Sequence, residues 1–184
     1  MNNEKDNVYD LVEDFYAHDE GWNTLLRQEY AEGFLRMEAW KGKKNSDLYR
    51  SWDNLTMLCL YLGSAETFLG DMNADDFIYC IAWCGRNISE FTPDYKNTQD
   101  FLETCDGLFK YLKGKNAISN DTVPGTAAEI LLQEGKMNII LPDGSFDEAN
   151  AERAWNATPD IPAKIFLNIG ERLQELLEVL HRFF

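Results

Sequence analysis

Apolar residues recur at helical spacing along most of this chain, and this pattern limits the fold more than any other feature of the sequence. In the first segment they fall at i, i+3, i+4, i+7 and i+8, which places them on one face of an α-helix. They are Val8, Leu11, Val12, Phe15 and Tyr16. Segments with the same spacing follow, with short breaks between them. The sequence therefore predicts a mainly α fold, a helical bundle of about six to eight helices.

The second and third predicted helices lie on either side of a break at residues 41–45. The second begins near residue 23, and its apolar stripe is expected to face inward as far as Trp40. The third begins at the capping signal Ser46-Asp47. Because glycine adopts the left-handed C-cap conformation without strain, Gly63 is the predicted end of the third helix.

Two more helices complete a predicted bundle portion at residues 1–116. Asn73 is expected to cap the fourth helix, since its side-chain oxygen can accept hydrogen bonds from the N–H groups of the first turn. The fifth helix is expected from about Asn97 to Lys113, after a loop at Phe91-Thr-Pro-Asp94.

The composition of the chain differs between its two halves, because residues 1–92 contain no proline and all five prolines lie at position 93 or beyond. We place the change after residue 116, where the regular helical spacing ends. We predict one helical domain at residues 1–184, in which residues 117–184 form a distinct C-terminal portion. Thr126 with Glu129 matches a capping box for a short helix.

Residues 137–147 combine a β-like run with Pro142-Asp-Gly144, which is typical of a tight turn. They form either a short β-hairpin, which we favour, or an extended loop laid on the bundle.

A final amphipathic helix is predicted before residue 184, with a leucine-rich stripe. The leucines are Leu173, Leu176, Leu177 and Leu180. Such a stripe can be buried within the same chain or against a second copy, so these residues are a candidate interaction face.

Acidic residues outnumber basic ones by 32 to 17, which gives a net charge of −15 that is spread along the chain. This charge disfavours nucleic acids and anionic membranes as partners, because their phosphate groups are repelled. The first ten residues do not resemble a signal peptide, and no apolar run approaches the ~20 residues that span a bilayer. We therefore expect a cytoplasmic protein that does not bind a membrane.

The motifs most often associated with catalysis and cofactor binding are missing from the sequence. These are the Gly-x-Ser-x-Gly nucleophile motif, the Gly-x-x-x-x-Gly-Lys-[Ser/Thr] phosphate loop and the Gly-x-Gly-x-x-Gly dinucleotide motif. Glu178 precedes His181 by three residues, as in di-iron carboxylate bundles, but the second Glu-x-x-His that such a site needs is not present. Asp14 and His18 lie four residues apart and can face one ligand. We assign no catalytic residue, no cofactor and no metal site.

Cysteines and tryptophans are expected to serve packing. The cysteines are Cys59, Cys80, Cys84 and Cys105, and the tryptophans are Trp22, Trp40, Trp52, Trp83 and Trp155. Each cysteine lies in an apolar, helix-like segment, which is typical of buried thiols. Large aromatic side chains at helical spacing usually pack between helices, although they can also line a ligand pocket.

Lys110, Lys113 and Lys115 form a basic cluster near the end of the fifth predicted helix. Positive charge stabilises a helix C-terminus, and the same cluster is a candidate contact for an anion.

Residues 46–120 contain an ordered series of motifs. The first is a helix led by Ser46 that contains Trp52, Leu55 and Leu62. The second is Met72-Asn-Ala-Asp-Asp-Phe77, which opens the next helix. The third extends from Thr98 through Phe101-Leu102 to Phe109-Lys-Tyr-Leu-Lys113, and Ile118 follows it. This order resembles the helical core-binding domain of the tyrosine recombinases, which implies a similar arrangement of helices. The chain departs from that family because no catalytic domain with its Arg, His and Tyr follows. The segment also has 6 basic and 11 acidic residues, whereas a DNA clamp is positively charged.

Three functions are compatible with these features. The one we favour is a non-catalytic helical protein that acts through protein–protein contact or self-association. The second is a small-ligand-binding protein or an enzyme whose site is assembled in space. The third is a nucleic-acid-linked protein, which either docks on DNA through the recombinase-like module or imitates DNA with its acidic surface.

Overall fold

The computed structural model of the protein describes residues 7–19, 21–132 and 140–145. The helices within these ranges are α1 (Val8–His18), α2 (Trp22–Leu25), α3 (Gln28–Trp40), α4 (Asn45–Ala65), α5 (Ala74–Asn87), α6 (Tyr95–Gly114) and α7 (Val123–Leu131). A 3-10 turn at Leu69–Asp71 joins α4 to α5. The described residues contain no β-strand, so the prediction of a mainly α bundle is confirmed. None of the described helices is both long and apolar enough to cross a membrane.

α4 occupies the centre of the bundle, where it contacts α1, α2, α3, α5 and α6. α7 packs across α5 and α6. The largest fully buried side chains include Phe34, Phe77, Phe101 and Phe109. These rings come from α3, α5 and α6, and the buried leucines of α4 lie among them. Burial of this one continuous apolar cluster holds the helices together.

Asn73 caps α5 as predicted. Its Oδ1 accepts hydrogen bonds from the backbone N–H groups of Asp75, at 2.8 Å, and Asp76, at 3.2 Å. The Asp76 carboxylate accepts a 2.9 Å bond from the Asn73 N–H in return. This reciprocal pair satisfies N–H groups that have no partner within the helix.

The segment predicted as one helix after residue 23 is divided into α2 and α3. The backbone is extended at Leu26, whose side chain is buried. The Leu26 carbonyl accepts a 2.7 Å hydrogen bond from the buried hydroxyl of Tyr16 on α1. This bond from α1 takes the place of the hydrogen bond that the Leu26 carbonyl would accept within a continuous helix, and it stabilises the break. Trp40, predicted to face inward, is 93% exposed at the end of α3.

Two predicted helix boundaries are also wrong. Gly63 lies inside α4, which continues to Ala65 and ends with Glu66 in the left-handed conformation (φ 51°). Thr126 lies inside α7, which begins at Val123 and has a proline in its first turn.

Pro142-Asp-Gly144 forms the predicted tight turn. The Gly144 N–H donates to the Leu141 carbonyl, and the Leu141 N–H donates to the Ser145 carbonyl, each at 2.8 Å. The turn packs on α5, where Arg86 Nε donates a 2.9 Å bond to the Gly144 carbonyl. The remaining residues of the candidate hairpin lie outside the described ranges.

The candidate interaction face at residues 173–180 also lies outside the described residues, as do His181 and Trp155. The division at residue 116 stays a prediction.

Candidate functional site

A cleft of about 820 Å³ opens between α1, α2, α4 and the start of α6. We call it the aromatic cleft. The described residues that line it are Leu11, Asp14, Phe15, His18, Trp22, Arg50, Trp52, Asp53, Asn54, Thr56, Met57, Leu60, Ile88, Glu90, Phe91, Asn97 and Asp100. Its volume lies within the range of sites that bind small molecules, and it leaves room for a large side chain of a partner together with its neighbours.

Three aromatic rings form the floor of the aromatic cleft. Phe15 stacks on Trp22, with ring centroids 5.0 Å apart and planes inclined by 24°. Phe15 also meets the edge of Trp52, with centroids 5.4 Å apart and planes at 88°. Trp52 is buried, whereas Phe15 and Trp22 are only half-buried and present ring surface to the opening. The floor is thus a rigid aromatic platform with uncovered apolar area.

Helical spacing explains how α1 and α4 supply this site. On α1, Leu11 and Phe15 are four residues apart and lie one turn above the other on the same side of the helix. On α4, Arg50, Asp53 and Met57 follow at i, i+3 and i+7, which also places them on one face. The cleft lies between these two helix faces.

Carboxylates predominate at the rim of the cleft. Asp14, Asp53, Glu90 and Asp100 contribute four acidic groups, against one guanidinium from Arg50. Asp100 Oδ2 accepts from Arg50 Nη1 at 3.1 Å and from Lys96 Nζ at 2.6 Å, so this carboxylate is paired with two cations and the acidic excess of the rim comes from Asp14, Asp53 and Glu90. The surrounding protein partly desolvates the Asp53 carboxyl, and this raises its pKa. The excess of carboxylates at the rim favours a cationic ligand over an anionic one.

His18 lines the same opening. Its Nδ1 lies 2.7 Å from the Asp14 carbonyl oxygen and 3.6 Å from the Asp14 carboxylate. These contacts raise the pKa of the imidazole. The predicted proximity of Asp14 and His18 is therefore present.

Asn54 fixes the position of α4 relative to α6 beneath this rim. Its buried amide nitrogen donates to the Asp100 carbonyl, at 3.1 Å, and to Thr104 Oγ1, at 2.9 Å. This cross-helix contact holds the Arg50 and Asp100 side chains on facing helices.

The predicted basic cluster lies outside the aromatic cleft. Lys110 Nζ forms a 2.6 Å ion pair with Asp106, and Lys113 Nζ donates to the Ser119 carbonyl. Lys115 Nζ lies over the Tyr111 ring, 5.5 Å from its centroid. Anion contact by Lys110, Lys113 and Lys115 stays a prediction.

The four cysteines are buried and unbonded, as expected. Burial raises the pKa of Cys59 to about 12, and it raises the pKa values of Cys80 and Cys105 well above the ordinary value. Cys59, Cys80 and Cys105 are therefore thiols at neutral pH and poor nucleophiles. Among the described side chains, no three His, Cys, Asp or Glu groups are arranged to hold a metal ion.

The sequence favours packing for the tryptophans and leaves a ligand pocket as the alternative, but it does not show which of them line a cleft. Trp52 does pack in the core, yet it shares the cleft floor with Trp22. The available signal was the mixed face on α4, where Arg50, Asp53 and Met57 combine charge with apolar surface. The sequence does not show which helices lie next to this face of α4, so it does not identify the face as part of a cleft.

Comparison with known proteins finds no matching family model, no matching curated protein and no matching solved structure. The resemblance of residues 46–120 to a recombinase core-binding domain thus rests only on the motif order described above.

Proposed function

We propose that this chain is a non-catalytic binding protein whose aromatic cleft takes up an apolar or aromatic side chain of a partner protein, flanked by basic residues. The observation that carries this proposal is the aromatic floor beneath a rim of four carboxylates.

The floor supplies the attractive surface for such a side chain. Phe15 and Trp22 are stacked on each other and only half-buried, so an incoming ring or aliphatic side chain can cover them. Buried aromatic anchors of this kind contribute much of the binding energy at protein interfaces.

The rim supplies selectivity for charge. Asp53 and Glu90 are exposed at the opening, and the whole chain carries a net charge of −15. Complementary charge speeds the encounter with a cationic partner and disfavours acidic partners.

A peptide titration tests this function. The probe is acetyl-Lys-Trp-Lys-Lys-amide, and the matched comparison is acetyl-Glu-Trp-Glu-Glu-amide, both measured by calorimetry at low salt. We expect only the basic peptide to bind. In the double variant Asp53→Asn/Glu90→Gln, binding should weaken about fivefold or more, since each exposed charge pair contributes roughly 0.2–1 kcal/mol.

The control variant Asp71→Asn/Glu129→Gln removes the same number of charges far from the aromatic cleft and should bind as the wild type does. Equal binding of both peptides, or binding of neither, would contradict the proposal.

We also propose that the protein acts in the cytoplasm. Its four cysteines are unbonded, which fits a reducing compartment. Nucleic acid remains a disfavoured partner because of the acidic surface.

Self-association through Leu173, Leu176, Leu177 and Leu180 remains a separate proposal, supported by the stripe they form in the sequence. Light scattering of the full chain and of a chain that ends at Thr158 tests it. A smaller number of chains per particle when residues 159–184 are removed would support it, and the same number with and without these residues would contradict it.

A further inference from the structure

Trp40 is almost fully exposed at the end of α3, at 93% of its surface. It begins a short segment that we call the Trp40 loop, residues 40–44, which also contains Lys41, Lys43 and Lys44. The next most exposed large apolar side chain among the described residues is Phe68, at 57%. An indole that contributes nothing to its own core is a typical anchor residue of an interface.

The Trp40 loop has a defined conformation. The Lys41 N–H donates to the Met37 carbonyl at 3.1 Å, and the Lys43 N–H donates to the Glu38 carbonyl at 3.2 Å. Both lysine ammonium groups also contact the buried carboxylate of Glu38, at 2.9 and 2.6 Å. The loop therefore presents Trp40 from a fixed base, and little ordering is needed when it binds.

The charge of the Trp40 loop is opposite to that of the aromatic cleft. The loop has three lysines, of which Lys41 and Lys43 share the single carboxylate of Glu38, so the loop keeps an excess of positive charge. The cleft has an aromatic floor and four carboxylates, and only one of these, Asp100, is paired with cations, Arg50 and Lys96. An aromatic side chain followed by three lysines is the kind of segment that such a cleft would accept.

The Trp40 loop lies outside the cleft of its own chain in the structure. The loop ends where α4 begins, and Arg50, the first cleft residue of α4, lies six residues further along, or about 9 Å along the helix axis. None of residues 40–44 lines the cleft.

We propose that the occupant of the aromatic cleft is the Trp40 loop of a second copy of this chain; this assignment rests on the function proposed above. Two copies with antiparallel α4 helices can place each loop at the cleft of the other. Each copy then supplies one loop and one cleft, so the pair has a two-fold axis, and no loop or cleft is left to bind a third chain.

Sedimentation velocity of the full chain at several concentrations and low salt tests this assignment. We expect reversible formation of pairs. Trp40→Ala should raise the dissociation constant of the pair at least tenfold, and Asp53→Asn/Glu90→Gln should raise it about fivefold. Phe68→Ala is the matched control, because it removes another exposed ring, and it should pair as the wild type does.

A mixing experiment identifies the two surfaces as partners. The Trp40→Ala chain keeps its cleft, and the Asp53→Asn/Glu90→Gln chain keeps its loop. The mixed pair has one complete contact and one contact that lacks both the indole and the two carboxylates. If the loop and the cleft touch each other, these two losses fall on the same contact and overlap, so the dissociation constant of the mixed pair, corrected for its statistical factor of two, should be lower than the geometric mean of the constants of the two variants alone. A dissociation constant equal to that geometric mean would overturn the assignment.

The acetyl-Lys-Trp-Lys-Lys-amide probe separates this assignment from the function on which it rests. If the probe binds the Trp40→Ala chain but the wild-type chain is monomeric at every concentration, the cleft binds basic aromatic segments and the second copy is the wrong partner. If the probe does not bind and the wild type is monomeric, both proposals fail. Pairing that Trp40→Ala leaves unchanged would overturn the assignment alone.

Discussion

Replacement of Gly144 by alanine tests how closely the turn at residues 141–145 is held against α5. Gly144 has φ +76°, in the left-handed region. An added Cβ would overlap the Ala82 carbonyl oxygen, and it would lie 2.9 Å from the backbone nitrogen of Arg86. Since both obstructing atoms belong to the α5 backbone, a side-chain rotation cannot relieve the overlap.

The expected cost has two parts, and a second glycine separates them. Alanine in the left-handed conformation costs about 1–2 kcal/mol. Overlap with a packed backbone adds about 1–3 kcal/mol. Gly42 has φ +90°, but nothing lies within 4 Å of its added Cβ, so Gly42→Ala measures the conformational strain alone. We expect the free energy of unfolding to fall by about 1–2 kcal/mol in Gly42→Ala and by about 2–5 kcal/mol in Gly144→Ala.

Urea unfolding followed by circular dichroism measures the two free energies, and hydrogen exchange of the Gly144 amide reports on the turn itself. If the turn lifts from α5 to relieve the overlap, the Gly144 carbonyl loses its hydrogen bond from Arg86, and this relief limits the total loss. The Gly144 N–H, which donates to the Leu141 carbonyl within the turn, is then no longer buried against α5 and exchanges faster. The same free-energy loss in both variants, together with unchanged amide exchange in Gly144→Ala, would refute the reasoning.

Two further substitutions test buried polar contacts. Burial acts to raise the pKa of Glu38, but the hydrogen bonds and charges of Lys43 and Lys41 outweigh it, and the pKa lies below its ordinary value. The stability it contributes is therefore present above its unfolded-state pKa, about 4.3, and is lost as the pH falls through the lower folded-state value. Urea unfolding from pH 3 to 7 should show that Glu38→Gln reduces stability at pH 7 by about 1–2 kcal/mol and weakens the loss of stability in acid; an unchanged acid dependence would contradict this. Tyr16→Phe leaves a buried backbone carbonyl without its hydrogen bond, so thermal and urea unfolding should show a loss of about 1–3 kcal/mol, whereas the exposed control Tyr95→Phe should change stability by less than about 0.5 kcal/mol.

Features set by neighbouring residues were predictable from the sequence. The apolar stripes predicted the inner faces of α1, α5 and α6, because a helix buries the residues that recur with its own period. The cap at Asn73 was also predictable, since its partners are only two and three residues away. These features need no knowledge of what packs against the helix.

Features set by distant partners were not predictable in the same way. The break between α2 and α3 depends on the Tyr16 hydroxyl, ten residues before the carbonyl that it satisfies. Gly63 was read as a helix end, yet it lies where a Cβ would be in van der Waals contact with Trp22 and Leu25 of α2. The apolar stripe of α3 predicts which face of the helix is apolar, but it does not predict how far the neighbouring helices extend along that face. Trp40 lies on the apolar face at the end of α3, where its side chain is exposed.

The distribution of charge over the surface also depends on residues that are distant in the sequence, and this dependence matters most for the candidate site. Along the chain the acidic excess is spread evenly, and this pattern indicates a solvated outer face on each helix. In space, Asp53 of α4 and Asp100 of α6 line one opening although 47 residues separate them. An even charge along a sequence therefore does not imply an even charge over a surface. The contrast between an acidic cleft and a basic, aromatic loop that precedes α4 follows only from the fold, and this contrast, more than the net charge, supports the partner proposed above.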